Sequence, residues 1–541
     1  MYKKRAKETF SQSVFALIVS QVIVKLLGLL YRLYLTNRNN YGDEGNAISG
    51  ASFQIYSLLL GITAIGIPNA ISKLIAEKSA IGDHKGANKI FKISLLIFSL
   101  IGIIGSYFLF IYAHSLANDY LHIKEAELSI IALSPSIFLV SVISVLKGYF
   151  NGRESIKMTA KAQTMDQITK VVAVVATIEL SVILLRMENT AIMAACSNLA
   201  TTIGNVVELF VLIKAYIKDL PNIRMEIENS VNSEIIRVKD IIKNILNVSI
   251  PISLSALIAT VSKNIDSFTI INGLKGKIGY EMAKKQYGIL SGKVDTLINL
   301  PLSFCMAIAT ALLPSIAATN GKIKEKENRI NHSFLLEMYI SIPSILVLMF
   351  FSNQILGMLF PNAKDGGELL SISAISIFFI TIEQIANNIL HAIGKTKVPV
   401  VSIILGTITK AILNYILVPR TDFILGGTKG AAFATVICHV IAGMTSYIYL
   451  IKKTKLKILK RNFVKPIFAS TILIIVAKLI YSVIKFKTSI KLVVSLGIGV
   501  LVYVAIVKSM ESLAKISHKS PKYWKNSKKK KDFVFWCRII G

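Results

Sequence analysis

Apolar runs of about 20 residues, the length that crosses a hydrocarbon core of ~30 Å, recur along the whole of this 541-residue sequence. The hydrophobic fraction is 53% and the mean hydropathy is +0.61. The runs do not alternate in hydrophobicity as the strands of a membrane barrel do. The sequence therefore predicts an all-α polytopic membrane protein.

Counting these runs gives about fourteen transmembrane helices, the first near residues 12–36 and the last ending near residue 508. The chain carries 62 Lys and Arg against 30 Asp and Glu. The cations concentrate at the N-terminus, in every second loop and in the C-terminal tail, a pattern that places both termini in the cytosol. Topology and attraction to anionic membrane lipids explain the net charge of +32, so we do not expect a nucleic-acid partner.

Three short matches at a nearly common offset indicate an internal repeat. The first match is between Gly152-Arg153 and Gly394-Lys395, and the second is between Ile168–Lys170 and Ile408–Lys410. The third is between Pro68 and Pro314. The repeat divides the chain into an N-lobe of helices 1–6 (residues 1–230) and a C-lobe of helices 7–12 (residues 231–455). The N-lobe ends in a cytosolic linker that begins at about residue 214. Helices 13–14 (residues 456–508) and a basic cytosolic tail (residues 509–541) follow the C-lobe. Because six helices return the chain to its starting side, we expect a pseudo-twofold axis along the membrane normal, as in transporters with parallel repeats.

Ionisable residues inside apolar segments are the strongest functional signal, because a charge at membrane depth costs roughly 2.5–3.5 kcal/mol or more. In the first helix, Lys25 and Arg32 are about two helical turns apart and project from one face. Arg32 has the alternative of snorkelling to the headgroups. If both face a cavity, they present two positive charges to an anion.

Further ionisable pairs lie on helices 5 and 7. Asp166 and Lys170 are separated by one helical turn, and so are Lys263 and Asp266, so each pair can meet on one helix face. The alternative is that these pairs only stabilise packing. Near the start of helix 8, Lys293 is too close in sequence to Asp295 to share its face.

The sequence shows no nucleotide or catalytic site. The segment Gly426–Gly430 has the composition of a phosphate-binding loop but not its spacing. The seven histidines and four cysteines show no metal-ligand spacing. We therefore expect neither an enzyme nor a cofactor, and the intramembrane cations disfavour a passive scaffold. Transport would be driven by an ion gradient, the membrane potential or substrate supply.

Short motifs in a specific order carry a resemblance to a known family. They are Lys25–Arg32, Gly42–Gly45, Gly66–Lys73, Lys147–Gly152, Asp166-Gln167, Ile250-Pro251, Ala311–Ser315 and Lys410–Tyr415. Over about residues 10–452 the chain resembles the stage V sporulation protein B / polysaccharide biosynthesis branch of the multidrug/oligosaccharidyl-lipid/polysaccharide (MOP) exporter superfamily. It is similar to the MurJ-type lipid II flippases of that superfamily.

The resemblance implies a fourteen-helix fold that works by alternating access around a central cavity. The role of binding a substrate pyrophosphate falls on Lys25 and Arg32, with Asp166, Lys170 and Lys263 as further cavity residues. This chain departs from the family pattern in having Lys at the first position, which lacks the planar fork of Arg. Its second cation also follows Gly28 by four residues rather than three.

The resemblance also implies an ion site, because some relatives bind sodium in the second lobe. The matching residues are Asp266, Asn414 and Thr435, and the ammonium of Lys410, one turn before Asn414, could replace the ion. Coupling to Na⁺ or to H⁺ is compatible with the sequence.

The function implied is a flippase for an undecaprenyl-pyrophosphate-linked cell-wall precursor in the bacterial cytoplasmic membrane, with lipid II as the leading candidate. Helices 13 and 14 would form a groove for the lipid tail. The alternatives are a cation-coupled multidrug exporter and an exporter of another lipid-linked polysaccharide unit. Cell-wall synthesis enzymes are candidate partners.

Overall fold

A computed structural model describes residues 10–63, 66–153, 155–185, 188–231, 237–317, 323–393, 395–454 and 461–519. Within these ranges the regular secondary structure is helical and includes no strand. The predicted all-α class is therefore confirmed. The basic run Lys528–Lys531 of the predicted tail lies outside the described residues.

The helices follow one another with short connections. They are α1 (Phe10–Asn37), α2 (Gly42–Thr63), α3 (Gly66–Ala80), α4 (His84–Ile111), α5 (Ala113–Ser115), α6 (Glu127–Gly152), α7 (Ile156–Leu185), α8 (Thr190–Glu228), α9 (Val238–Ile278), α10 (Tyr280–Gly288), α11 (Asp295–Ala317), α12 (Ile323–Phe350), α13 (Ser352–Leu359), α14 (Gly367–Ala374), α15 (Ser376–Ala392), α16 (Lys397–Leu417), α17 (Thr428–Thr454), α18 (Arg461–Val483) and α19 (Thr488–Lys519). A 3₁₀ turn covers Lys124–Ala126, and π-helical turns cover Leu116–Tyr120 and Ile289–Val294.

Eleven helical segments of the described chain are long and apolar enough to cross a membrane. Helices α1, α9 and α11 are not among these eleven, although they contain 28, 41 and 23 residues. The count of fourteen spans therefore stays a prediction. Helix α4 leaves Leu96, Ile103 and Ile104 exposed by 64%, 52% and 67%, as expected of a helix that faces lipid.

Local sequence explains where several helices begin. Asp83 caps α4, because its carboxylate accepts a hydrogen bond from the Gly86 amide at 2.8 Å. Asn189 caps α8 by accepting from the amides of Ala191 and Ile192. Such caps satisfy backbone donors that have no partner inside the helix.

Helix α8 is longer than the predicted sixth span. It continues through Pro221 to Glu228, so the first part of the predicted linker extends this helix. Arg153, at the end of α6, donates to the Glu226 carboxylate at 2.6 Å and holds the extension against the bundle. The end of the linker includes residues 232–236, which are outside the described chain.

The described residues of Met1–Leu300 and Pro399–Ala434 form one compact unit (unit 1), and those of Pro301–Val398 and Thr435–Gly541 form a second (unit 2). The core of unit 1 includes Ile71, Phe91, Tyr149 and Leu212, from α3, α4, α6 and α8. In unit 2, Phe334, Ile385 and Leu450 pack α12, α15 and α17 together. The predicted lobe boundary at residue 230 stays a prediction.

Candidate functional site

Arg32 lies on α1 of unit 1, and its side chain is half-buried. One guanidinium nitrogen (Nη1) donates to Asn46 Oδ1 at 2.6 Å, and the Asn46 amide nitrogen donates to Thr36 Oγ1 at 2.9 Å. The guanidinium carbon of Arg32 lies 5.8 Å from the ring centroid of Tyr31. Arg32 is thus held in place by uncharged groups, which leaves its positive charge uncompensated by these contacts.

Helix α7 brings a second cation to the same region. Lys170 Nζ lies 5.3 Å from the Tyr31 ring centroid and 5.5 Å from that of Phe53. Its charge interacts with those of Asp166 and Arg32. Arg32 of predicted helix 1 and Lys170 of predicted helix 5 therefore meet at the Tyr31 ring, and an aromatic ring favours a cation over its face.

Asp166 itself packs against α8. A Cβ added at Gly204 would lie 2.3 Å from Asp166 Oδ1, so only glycine permits this close approach. The carboxylate also interacts electrostatically with Glu208, whose Oε1 pairs with Lys147 Nζ at 2.7 Å. Asp166 thus sits against the wall of the bundle beside Lys170.

Lys25 on α1 and Lys263 on α9 are both exposed, and their charges interact. Lys263 also interacts with the carboxylate of Asp295, the first residue of α11. Arg32 is within electrostatic reach of this carboxylate too. Unit 1 therefore gathers the cations of three helices around a smaller number of acids, an arrangement that suits a multiply charged anion.

Asp266 lies with Lys410 and Asn414, the residues that the family resemblance grouped with it, and not with its neighbour on α9. Instead of Lys263, it pairs with Lys410 of α16, at 2.5 Å between Oδ2 and Nζ. The Asn414 amide nitrogen donates to Asp266 Oδ1 and to Thr269 Oγ1, both at 2.9 Å. Lys410 is 2% exposed and Asp266 is 13% exposed, so little of this pair reaches solvent.

These groups do not fit a sodium ion. Hard cations take several oxygen ligands, but the carboxylate of Asp266 already receives an ammonium and an amide N–H. Among the residues described, no group of three His, Cys, Asp or Glu side chains could hold a metal ion. Thr435, the remaining predicted ion ligand, lies on α17 in unit 2.

Sequence reasoning missed Asn46 and Asp43, on the first turns of α2. Lys293 was recognised as an intramembrane cation, but its partner, Asp43, is 250 residues away in the chain. The signals available were the Gly42–Gly45 motif, which contains Asp43, and the spacing of Gly288 and Gly292, since small residues four apart allow helices to approach closely.

Apolar spans with exposed lipid-facing side chains, and cations gathered inside a helical unit, define a multi-pass α-helical membrane protein. The chain belongs to the polysaccharide biosynthesis protein family, whose model matches residues 10–320, and it falls in the stage V sporulation protein B and MurJ-like branch of the MOP superfamily. A second model, MatE, matches residues 290–416.

Relatives span nearly the whole chain. Stage V sporulation protein B of Bacillus subtilis is 26% identical over 488 residues, which cover 89% of this chain and 90% of that protein. The lipid II flippase MurJ of the same organism is 22% identical over 497 residues, covering 88% and 89%.

Solved structures share the fold. A lipid II flippase MurJ in an inward closed conformation has a TM-score of 0.70 at 18% identity and covers 91% of this chain and 98% of that one. An inward-facing multidrug resistance MATE family transporter of the MOP superfamily has a TM-score of 0.63 at 16% identity, covering 82% and 98%. Together with the family models and the sequence relatives, these structures confirm the resemblance to this superfamily.

Proposed function

We propose that this protein is a flippase that moves a lipid-linked glycan diphosphate across the bacterial cytoplasmic membrane, with lipid II as the substrate. The observation that carries the proposal is the group of cations in unit 1, in which Arg32 and Lys170 lie beside the Tyr31 ring. A diphosphate supplies the negative charge that these side chains lack. The lipid-linked glycan is suggested by the relatives, which include a lipid II flippase.

The chemistry proposed for the site is binding and charge compensation only. Arg32 offers a planar fork of N–H donors to phosphate oxygens, whereas Lys25 and Lys263 add point charges. The lipid tail stays in the bilayer, in a groove formed by α18 and α19. Both termini lie in the cytosol, and anionic lipids and cell-wall synthesis enzymes are the expected neighbours.

We also propose that transport does not require sodium at Asp266, because the Lys410 ammonium already neutralises that carboxylate. Energy would come from substrate supply, the membrane potential or a proton gradient. Moving one charge across a membrane potential of 100 mV changes the free energy by about 2.3 kcal/mol. For a substrate with two or three charges, the membrane potential is therefore a substantial source of energy.

Genetic complementation tests the proposal. We would express the chain in a bacterium depleted of its lipid II flippases and score growth, with membrane levels checked by immunoblot. The parent and Arg38→Ala should restore growth, whereas Arg32→Ala should not. Arg38 is a matched control because it lies one residue past the end of the same helix and is already paired with Glu179 at 3.0 Å.

Other results would redirect the assignment. If a well-inserted parent fails to rescue, lipid II is excluded and another lipid-linked polysaccharide unit becomes the substrate. If Arg32→Ala rescues as well as the parent, the cation site is wrong. The MatE match to residues 290–416 supports a multidrug exporter as the second candidate, and drug resistance that rises on expression, without rescue, would favour it.

A further inference from the structure

Two fully buried lysines join the first turn of α2 to the segment that precedes α11. Lys293 Nζ lies 2.9 Å from Asp43 Oδ1 and 3.0 Å from Oδ2, and neither side chain is more than 1% exposed. Lys284 Nζ lies 2.9 Å from Glu44 and 3.2 Å from Glu125. We call Asp43, Glu44, Lys284 and Lys293 the α2 latch.

The backbone contact beside the latch is tight. A Cβ at Gly288 would lie 1.8 Å from the Asp43 carbonyl oxygen, and one at Gly292 would lie 2.5 Å from Asn46 Cγ. The latch therefore joins the first turns of α2 to the segment before α11 where the two are packed too closely to admit a Cβ at Gly288 or Gly292. Lys293 and Gly292 belong to the π-helical turn Ile289–Val294, an irregular turn that often occurs at functional sites.

Asn46 belongs to both the latch contact and the cation site. One face of its side chain packs on Gly292, while its Oδ1 accepts the hydrogen bond from Arg32 at 2.6 Å. A phosphate oxygen that binds Arg32 competes with Asn46 for the same guanidinium. An Asn46 side chain that loses this donor keeps its hydrogen bond to Thr36 Oγ1, and a rotation of its amide about that bond changes its packing on Gly292.

We propose that Asn46 is a positioning residue that links the occupancy of Arg32 to the α2 latch. With Arg32 free, Asn46 keeps Gly292 in close contact and the latch closed. With an anion on Arg32, Asn46 is released and the latch opens. This inference rests on the proposed function, since it takes the anion to be the diphosphate of the substrate.

The latch itself is tested without any ligand. Hydrogen–deuterium exchange of residues 280–294 is measured in the full chain in lipid nanodiscs. Asp43→Asn should speed exchange there about tenfold, and the charge-swapped pair Asp43→Lys with Lys293→Asp should slow it again. Glu127→Gln is the control, because it removes an acid paired with His114 and should change nothing at 280–294. Unchanged exchange in Asp43→Asn would overturn the latch, whether or not the swapped variant folds.

The link to Arg32 is tested with farnesyl diphosphate as the probe. Binding to the parent should speed exchange at 280–294 at least threefold. In Asn46→Ala the probe should still bind, but the exchange response should be lost. In Asn46→Asp the added carboxylate should hold Arg32 and weaken probe binding about tenfold. A residue with only a structural role would not give opposite effects in these two variants.

The outcomes separate the two claims. Probe binding with unchanged exchange in the parent, or an unaltered response in Asn46→Ala, would overturn the link and leave the proposed function standing. Failure of the parent to bind the probe would overturn the proposed diphosphate site and the link with it. The latch would then stand or fall on the ligand-free measurement alone.

Discussion

Arg32 on α1 and Arg38, which directly follows the last residue of that helix, show how neighbouring groups determine whether an arginine can bind a ligand. Arg38 faces the carboxylates of Glu179 and Glu188, at 3.0 and 3.8 Å. Arg32 instead hydrogen-bonds to the neutral amide of Asn46. An arginine that is already paired with carboxylates has little charge left to attract an anionic ligand. An arginine that is hydrogen-bonded to a neutral amide is oriented, and its positive charge is still available to an anion.

This difference predicts the effect of conservative changes. Arg32→Lys removes the planar fork and should weaken farnesyl diphosphate binding about tenfold, equivalent to ~1.4 kcal/mol. Lys25→Arg adds a fork at the exposed Lys25 position and should bind the probe at least as tightly as the parent. Isothermal titration in nanodiscs measures both. Equal affinity in Arg32→Lys and the parent would show that only the charge matters.

The buried pair of Asp266 and Lys410 predicts a stability effect. Lys410→Met leaves an unpaired buried carboxylate and should destabilise the protein by roughly 3–5 kcal/mol. Adding Asp266→Leu should recover most of this loss, since apolar residues often replace a buried ion pair without penalty. Thermal unfolding in detergent measures the series. The parent should unfold at one temperature in sodium and in potassium chloride, and a sodium-specific rise would contradict a site filled by Lys410.

The latch lysine Lys284, on the short helix outside the apolar spans, predicts a pH response. Burial opposes its charge, but its hydrogen bonds to Glu281 and Glu44 and the charge of Glu125 outweigh that, so the pKa of Lys284 is raised above its ordinary value. Because folding raises this pKa, the stabilisation by charged Lys284 is complete below about pH 10.4, the pKa of a lysine in an unfolded chain. The stabilisation is lost only as the pH rises through the pKa of Lys284 in the folded protein. Exchange at 280–288, corrected for its chemical pH dependence, should be constant from about pH 7 to pH 9, and loosening within that window would contradict it.

At the scale of elements, the contact of α2 with the segment before α11 depends on glycine. Gly288→Ala places a methyl group on the Asp43 carbonyl and should destabilise the protein by about 1–3 kcal/mol. Gly276→Ala on α9 is the control, because a Cβ there meets no atom within 4 Å and alanine favours a helix. Unfolding temperatures compare the two, and equal values would show that the segments can separate without loss.

The elements also show what the sequence could and could not predict. Apolar length identifies eleven helical segments of the described chain, because a membrane requires that backbone groups be satisfied within each span. Helix ends are less determined, and α8 therefore runs past the predicted boundary to Glu228. Helical spacing predicted a partner for Asp266 one turn away at Lys263, whereas the family resemblance grouped Asp266 with Lys410, which is its partner 144 residues along the chain. Spacing on one helix predicts local neighbours, whereas long-range partners depend on tertiary packing.

At the scale of the whole molecule, function depends on the side of the membrane that each end of a helix faces. The positive-inside pattern predicts that the α3–α4 connection, which carries Lys78 and Lys85, lies in the cytosol. It also predicts that the C-terminal end of α9 and the α2 latch lie outside. In this orientation the proposed latch would lie at the outer end of unit 1, and the proposed substrate would arrive from the cytosol.

A matched pair of cysteines tests this topology in intact cells. Lys85 at the start of α4 and Lys275 near the end of α9 are both exposed, so Lys85→Cys and Lys275→Cys are equally available to a reagent on their own side. A membrane-impermeant maleimide should label Lys275→Cys in intact cells and Lys85→Cys only after permeabilisation. The parent, in which Cys305 and Cys438 are buried, gives the background. The reverse labelling pattern would place the latch in the cytosol. A latch there would open toward the compartment from which the substrate comes, so export through the latch would be excluded.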